Sequence, residues 1–283
     1  MTVETEVTKV SYALRNNAGT IILPEWCMKE FANLTVPSEA DLFTESATQE
    51  YPIGTQCRKG DRLFRYCKAG EGMAVGHQGF LKCARTITPG AVGGGGSEAA
   101  LYADAALGAT KIYLGDTTDR VKNYYEDGHL IVMSDTYGYA RYRIIGSDAA
   151  TSLDYVVVYI APPGLRQAHT TTSGTVGAYR SPWIDVRSML TSGNQSWFSA
   201  VGMASFAITT AYFFWLQTAG PCWGTGASTW PGQTAYQREV MANTDGSLIG
   251  LAAATVYYQK VGYLLSGTTS IYGDVFFMMQ LDQ

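Results

Sequence analysis

"AYFFWLQTAGPCWGTG", residues Ala211–Gly226, sets four aromatic side chains in a row and then breaks on Gly220-Pro221. Three structures could hold such a run: a membrane segment, a ligand-stacking surface, or a strand buried on both faces. Between Arg187 and Arg238 there is no Asp, Glu, Lys or Arg, which raises the membrane question. The interval nevertheless carries Gln195, Ser196, Ser199, Ser205, Thr209, Thr210, Gln217 and Thr218, and Gly202, Gly220 and Pro221 interrupt it. No window of about 20 residues is dominated by strongly apolar side chains, as a spanning helix requires. β-structure with Ser, Thr and Gln on its wetter face fits better. Within it Phe213, Trp215 and Gln217 alternate with Tyr212, Phe214 and Leu216, so the two sets point to opposite faces of one strand. Proline cannot donate to a ladder, so Gly220-Pro221 is expected to end the pairing.

So long an uncharged interval needs a cover. Isolated domains use charge to stay soluble and to guard strand edges, whereas interface cores are poor in charge and rich in Tyr and Trp. Part of 188–237 is therefore expected to lie against another chain. Phe213, Trp215 and Gln217, with Tyr212 and Phe214, are the candidate self-association residues.

The same chemistry extends outward. Only 16% of the 283 residues are charged, and there are 31 glycines and 19 tyrosines, a composition suited to short strands and tight turns. "RLFRYCKA" alternates Leu63, Arg65 and Cys67 against Phe64, Tyr66 and Lys68, as a half-buried strand does, after a turn at Lys59-Gly60-Asp61. "ATKIYLGD", "HLIVMSD", "YARYRIIGSD" and "SLDYVVVYIAPPG" follow in quick succession, and "VYYQKVGYLLSG" and "GDVFFMMQL" come near the C-terminus. The runs lie too close together for helical crossovers. The expected fold is mainly β: antiparallel β-sandwich or small β-barrel modules behind an extended, partly helical N-terminal arm. The arm is 1–50, extended with one helical turn or two; Leu23–Leu34 is the candidate short helix, Pro37–Pro52 is polar and bounded by prolines, and the arm is the candidate for attachment. A β-rich module spans 51–185, with a loose Gly-rich loop near 89–100. A second β-rich module, the candidate oligomer interface, spans 186–283.

The residues that carry chemistry form no recognisable constellation. A net charge of −4 offers no basic excess for phosphates, so nucleic acid is not an expected partner, and neither is a membrane. "MTVETEVTKV" does not read as a signal peptide. Cys27, Cys57, Cys67, Cys83 and Cys222 include no CxxC pair and read as buried thiols of a cytosol-folded protein. His77, His129 and His169 sit in separate segments without metal-ligand spacing. There is no GxSxG elbow, and only sequence closeness links Cys57 or Cys67 to His77. Gly93–Gly96 is followed by Ser97-Glu98 rather than the Lys-Ser of a phosphate loop. Asp116, Asp119, Glu126 and Asp127 miss the spacing of a calcium loop. No catalytic, cofactor or metal site is expected. Glycosidase carboxylates come from distant segments and would be invisible here. Trp183, Trp197, Trp215, Trp223 and Trp230 could stack sugars, but core and interface packing is the commoner use of such residues.

Several of these stretches together resemble virion proteins of tailed bacteriophages. "YPIGTQCRKGDRLFRYCKAGEGMAVG" is similar to an early "G-T…R-x-F-R-Y-x-x-A-G" segment of those proteins, and "DGHLIVMSDTYGYARYRIIGSDAA" to their central hairpin. "AYFFWLQTAGPC" resembles their "G-Y-Y-G-W-V-Q-T-x-G-P-A" strand, with Phe214 where Gly is usual, and "KVGYLLSG…GDVFFMMQL" resembles their ending. The likeness runs in order over about residues 50–283. It implies a non-enzymatic decoration, cement or head-protrusion protein, often a homotrimer, assembled in the host cytoplasm. Its partner would be the major capsid protein, which it would bind on the outer surface of the head. Head or tail fibres that bind host glycans are the alternative, and a virion-associated glycan hydrolase a more distant one.

Overall fold

The computed structural model describes residues 13–24, 34–75, 78–81, 99–116, 118–134, 138–151, 154–172, 175–187, 199–227, 231–232, 238–243, 246–250, 259–266 and 274–282. The protein is mainly β, with eighteen strands among the described residues, in two antiparallel sheets. The only helical element among the described residues is a 3-10 turn at Asp41–Phe43.

The chain begins the larger sheet with β1 (Ala13–Asn16), β2 (Gly19–Ile22), β3 (Gln56–Lys59), β4 (Arg62–Lys68) and β5 (Gln78–Leu81). It then builds the smaller sheet from β6 (Ala99–Ala100), β7 (Lys111–Gly115), β8 (His129–Ser134), β9 (Gly138–Ser147), β10 (Tyr155–Ile160) and β11 (Thr175–Tyr179). It returns to the larger sheet with β12 (Val186–Arg187), β13 (Ser199–Met203), β14 (Phe213–Thr225), β15 (Glu239–Ala242), β16 (Leu248–Gly250), β17 (Lys260–Ser266) and β18 (Asp274–Gln280). The main path of that sheet runs β1-β2-β3-β4-β14-β18-β17-β15-β16, with β5, β12 and β13 beside it. The smaller sheet runs β6-β11-β8-β9-β10-β7. Its two ends meet: Leu101, just past β6, bridges to Leu114 of β7, and the Tyr102 N–H donates to the Tyr113 carbonyl at 2.9 Å. Inward residues from β7 to β11, such as Ile112, Leu130, Ile144, Val158 and Val176, share one core.

The opening stretch becomes the centre of the larger sheet. β14 pairs with β4 along its first half and with β18 along its second. Alternation gives it two buried faces. Trp215 and Phe213 pack with Tyr51, Phe64 and Tyr66 on one side, and Phe214 and Leu216 pack with Cys67, Met73, Val186 and Ile208 on the other. The expected break at Gly220-Pro221 does not occur, because the strand continues to Thr225 with Pro221 opposite Met278. Proline's missing donor matters little there, since β4 pairing stops at Ala219 and leaves no strand on that edge to receive it. Gly220 takes φ +95°, and a Cβ there would meet the Asp61 carbonyl oxygen. Only glycine lets β14 pass so close to the β3–β4 turn.

The described part of the N-terminal arm is not a free extension. Asn16 closes a β1–β2 hairpin by accepting the Ala18 N–H at 2.8 Å, and β2 pairs with β3. Within Pro37–Pro52 there is the single 3-10 turn, on which Ser38 and Asp41 exchange hydrogen bonds. Residues 25–33 of the expected Leu23–Leu34 helix and 89–98 of the expected Gly-rich loop near 89–100 lie outside the described residues; Leu23, Pro24 and Leu34 are not helical, and Ala99–Ala100 form β6. The β3–β4 hairpin turns on Gly60-Asp61, and β8–β9, β17 and β18 fall where their alternation places them.

Candidate functional site

The pleat gives the larger sheet one broad outward face. Directly opposed residues form a row across six strands: Arg15 on β1, Thr20 on β2, Arg58 on β3, Leu63 on β4, Ala219 on β14 and Gln280 on β18. The alternate positions Leu14, Ile21, Cys57 and Phe64 face the core, which fixes the outward direction of the row. The face is hollowed into an open groove of about 830 Å³ that reaches from Arg15 to Tyr263 and Met278.

The two ends of the groove differ chemically. At one end Arg15 and Arg58 are exposed, flank Thr20 two strands apart, and have no ion-pair partner among the described residues. Strand spacing puts their Cα atoms about 10 Å apart. Arg62 lies nearby but is tied to Glu39 at 2.6 Å, and Arg65 is tied to Asp282 at 2.6 Å and to the Gly54 carbonyl. Asp61 also lines the groove. At the other end Tyr263 and Met278 line the groove, and the face continues past it with the apolar residues Pro221 and Trp223 of β14 and Phe276 of β18. The arginine end attracts carboxylates, and the apolar end offers area. Together they suit an extended or broad partner rather than an enclosed small molecule.

The residues named from the sequence lie elsewhere. Phe214, Trp215 and Gln217 are buried, and Tyr212 and Phe213 are half-buried. Their cover comes from within the chain. Gln217 donates its side-chain amide to the Ala219 and Pro221 carbonyls of its own strand, at 3.2 and 2.8 Å. Trp183 is half-buried with the Arg65 guanidinium over its ring, Trp223 is exposed, and Trp197 and Trp230 lie outside the described residues. Cys57, Cys67 and Cys222 are buried free thiols, and burial pushes Cys57 up to about 11 and Cys222 up to about 12. Cys27, Cys83 and His77 lie outside the described residues. Among the described residues no three His, Cys, Asp or Glu side chains gather as metal ligands do, and no helix is long and apolar enough to cross a membrane.

Sequence reading missed Arg15 and Arg58 because they stand on different hairpins and only strand register brings them together. Of the acids in the 116–127 loop, Asp116 is the centre of a structural network, and Asp127 pairs with Arg143 at 3.1 Å. Asp116 is fully buried and accepts hydrogen bonds from Arg120 Nε, the Tyr125 hydroxyl and the Thr118 N–H.

A second cavity, of about 140 Å³, lies where the two sheets meet, between Arg65, Trp183 and Ile22 on one side and His129 and Arg143 on the other. Burial, then the Arg143 and Arg141 charges, pull the His129 imidazole down to about 4. The unfolded chain therefore takes up a proton below about 6.5 that the folded chain refuses until about 4. The full linkage would be ~3 kcal/mol, but the imidazole is only half-buried and solvent screens it, so stability is expected to fall by about 2 kcal/mol as pH drops through that window. Urea unfolding at pH 7 and pH 4.5 measures this, and His129→Gln is expected to flatten its share of the slope.

Comparison of the chain with protein-family models, curated proteins and solved structures finds no match.

Proposed function

We propose that the protein is a virion structural component of a tailed phage, a decoration or cement protein that binds the outer capsid surface and stabilises the head. It would self-associate there, as a trimer if the likeness to phage proteins extends to assembly. The observation that carries the reading is the open groove across the larger sheet, with two exposed arginines at one end that have no ion-pair partner among the described residues. A groove of that breadth matches a protein surface, and Arg15 and Arg58 match acidic groups on it. The stretches that resemble phage virion proteins also support it. They supply β3, β4, β14, β17 and β18 of the larger sheet and the β8–β9 hairpin of the smaller one, so the likeness lies in the framework. We also read the smaller sheet as a small barrel closed by the Leu101–Leu114 bridge.

Binding to purified capsid shells tests the reading. The wild-type chain is expected to co-sediment with shells at hundreds of copies per particle. Arg15→Glu with Arg58→Glu is expected to weaken this at least ~10-fold, with stronger salt dependence in the wild type. A chain that ignores shells, or sits in a handful of copies at the tail of intact virions, sinks the proposal.

A further inference from the structure

We propose that the apolar end of this face is covered by a second copy of the chain. The strip lies where β14, β18 and β17 run side by side. Trp223 stands directly opposite Phe276, and Tyr263 directly opposite Met278. Trp223 is 43% exposed, Phe276 45%, Tyr263 39% and Leu265, at the bulge of β17, 41%. Their neighbours Cys222, Leu264, Val275 and Phe277 are buried in a common core. The strip is therefore one side of a well-packed region, set by the pleat, and not a frayed edge.

Its size calls for a cover. At roughly 200 Å² per large side chain, these exposures leave on the order of 300 Å² of apolar surface in one place. A patch of that order is as large as the main apolar patch of a typical monomer, and such patches are often functional. It is also a fair share of the ~800 Å² that each partner of a stable pair buries, once a polar rim is added around it.

Charge selects the occupant. None of the strip's side chains is ionised. Glu239, directly opposite Tyr263, is neutralised by Lys260 at 2.7 Å. A copy that sets these four side chains against themselves meets no like charge from them. At the other end of the groove a copy would press arginine towards arginine, so that end suits a different, acidic partner. Trp223 is also the large exposed side chain among the described residues of the charge-free interval 188–237, where the sequence called for another chain. The inference rests on the self-association in the reading above, not on the shell as partner.

Sedimentation equilibrium of the purified full chain tests it. The wild type is expected at a multiple of 30.6 kDa. Two double variants are compared, Trp223→Lys with Phe276→Lys and Trp223→Glu with Phe276→Glu. Each alone is expected to be monomeric, with association weakened at least ~100-fold. An equimolar mixture is expected to regain the oligomer, because opposite charges now meet. A misfolded variant could not be rescued in this way. Overturning results are a monomeric wild type at ~100 µM, where even weak complexes form, variants that associate like the wild type, and a mixture of folded variants that stays monomeric. Shell binding is scored separately with the Arg15 and Arg58 variants, so either proposal can fail alone.

Discussion

Trp215→Ala is expected to destabilise the protein by about 4 kcal/mol. The indole is 2% exposed and meets Tyr51 and Tyr66 edge-on, with ring centroids 5.0 and 5.1 Å away. Neither tyrosine is free to fill the hole. The Tyr51 hydroxyl donates to the Thr35 carbonyl at 3.0 Å, and the Tyr66 hydroxyl accepts the Glu50 N–H at 3.0 Å. The cavity therefore persists, and its cost adds to the lost burial. Phe214→Ala opens a separate hole on the other side of the same strand, against Cys67 and Ile208, and is expected to cost about 3 kcal/mol. The two losses should nearly add, because the side chains point into different cores. Equilibrium urea unfolding at neutral pH measures all three variants. A loss below ~1 kcal/mol for either single variant would show that its face is not buried as described.

Asp116→Ala is expected to cost about 3–5 kcal/mol, concentrated in the smaller sheet. The carboxylate has no exposed surface, and the Arg120 side chain that pairs with it at 2.9 Å is 10% exposed. Removing it takes the carboxylate away from a mostly buried guanidinium and from the Tyr125 hydroxyl, which burial and the Asp116 charge hold well above the usual phenol range. The charge left behind, rather than the lost attraction, dominates the cost. Asp116→Ala combined with Arg120→Met should therefore be less damaging than Asp116→Ala alone. Unfolding of the single and double variants measures the difference, and a double variant worse than the single would refute the account.

Much of the β-architecture was legible because alternation and turn chemistry are local. The Lys59-Gly60-Asp61 turn, the strand at 62–68 and the two opposed faces of 213–216 could be read from neighbours in sequence. What covers those faces could not. Alternation says that Phe214 and Trp215 point apart, not that Cys67 and Tyr66 await them from β4. That pairing crosses the whole smaller sheet, and no local pattern encodes it. The proline rule at Pro221 was sound about the donor but silent on which edge would lose it. The groove was hidden for the same reason as the core partners. Arg15 and Arg58 read as two unrelated surface residues until β2 sets them on either side of Thr20. Trp223 stood in the quoted stretch all along. The charge-free interval around it pointed to a covered region, but burial divides that region into an inner half at 213–218 and an outer face at 223.

The route of the chain has a consequence for the order in which the molecule forms. β6–β11 occupy one unbroken stretch, inserted between β5 and β12. A ribosome therefore delivers the smaller sheet as a finished local unit while β4 still waits for β14, and β14 for β18. Pairings so remote in sequence form slowly, because loop closure precedes any reward from contact. Until residues 213–225 emerge, the early strands present an open edge rich in Phe64, Tyr66 and Cys67 to neighbouring chains. The smaller sheet thus acts as an early folding spacer that holds β5 and β12 near each other, and nascent chains stalled before β14 are the form in which this protein would aggregate.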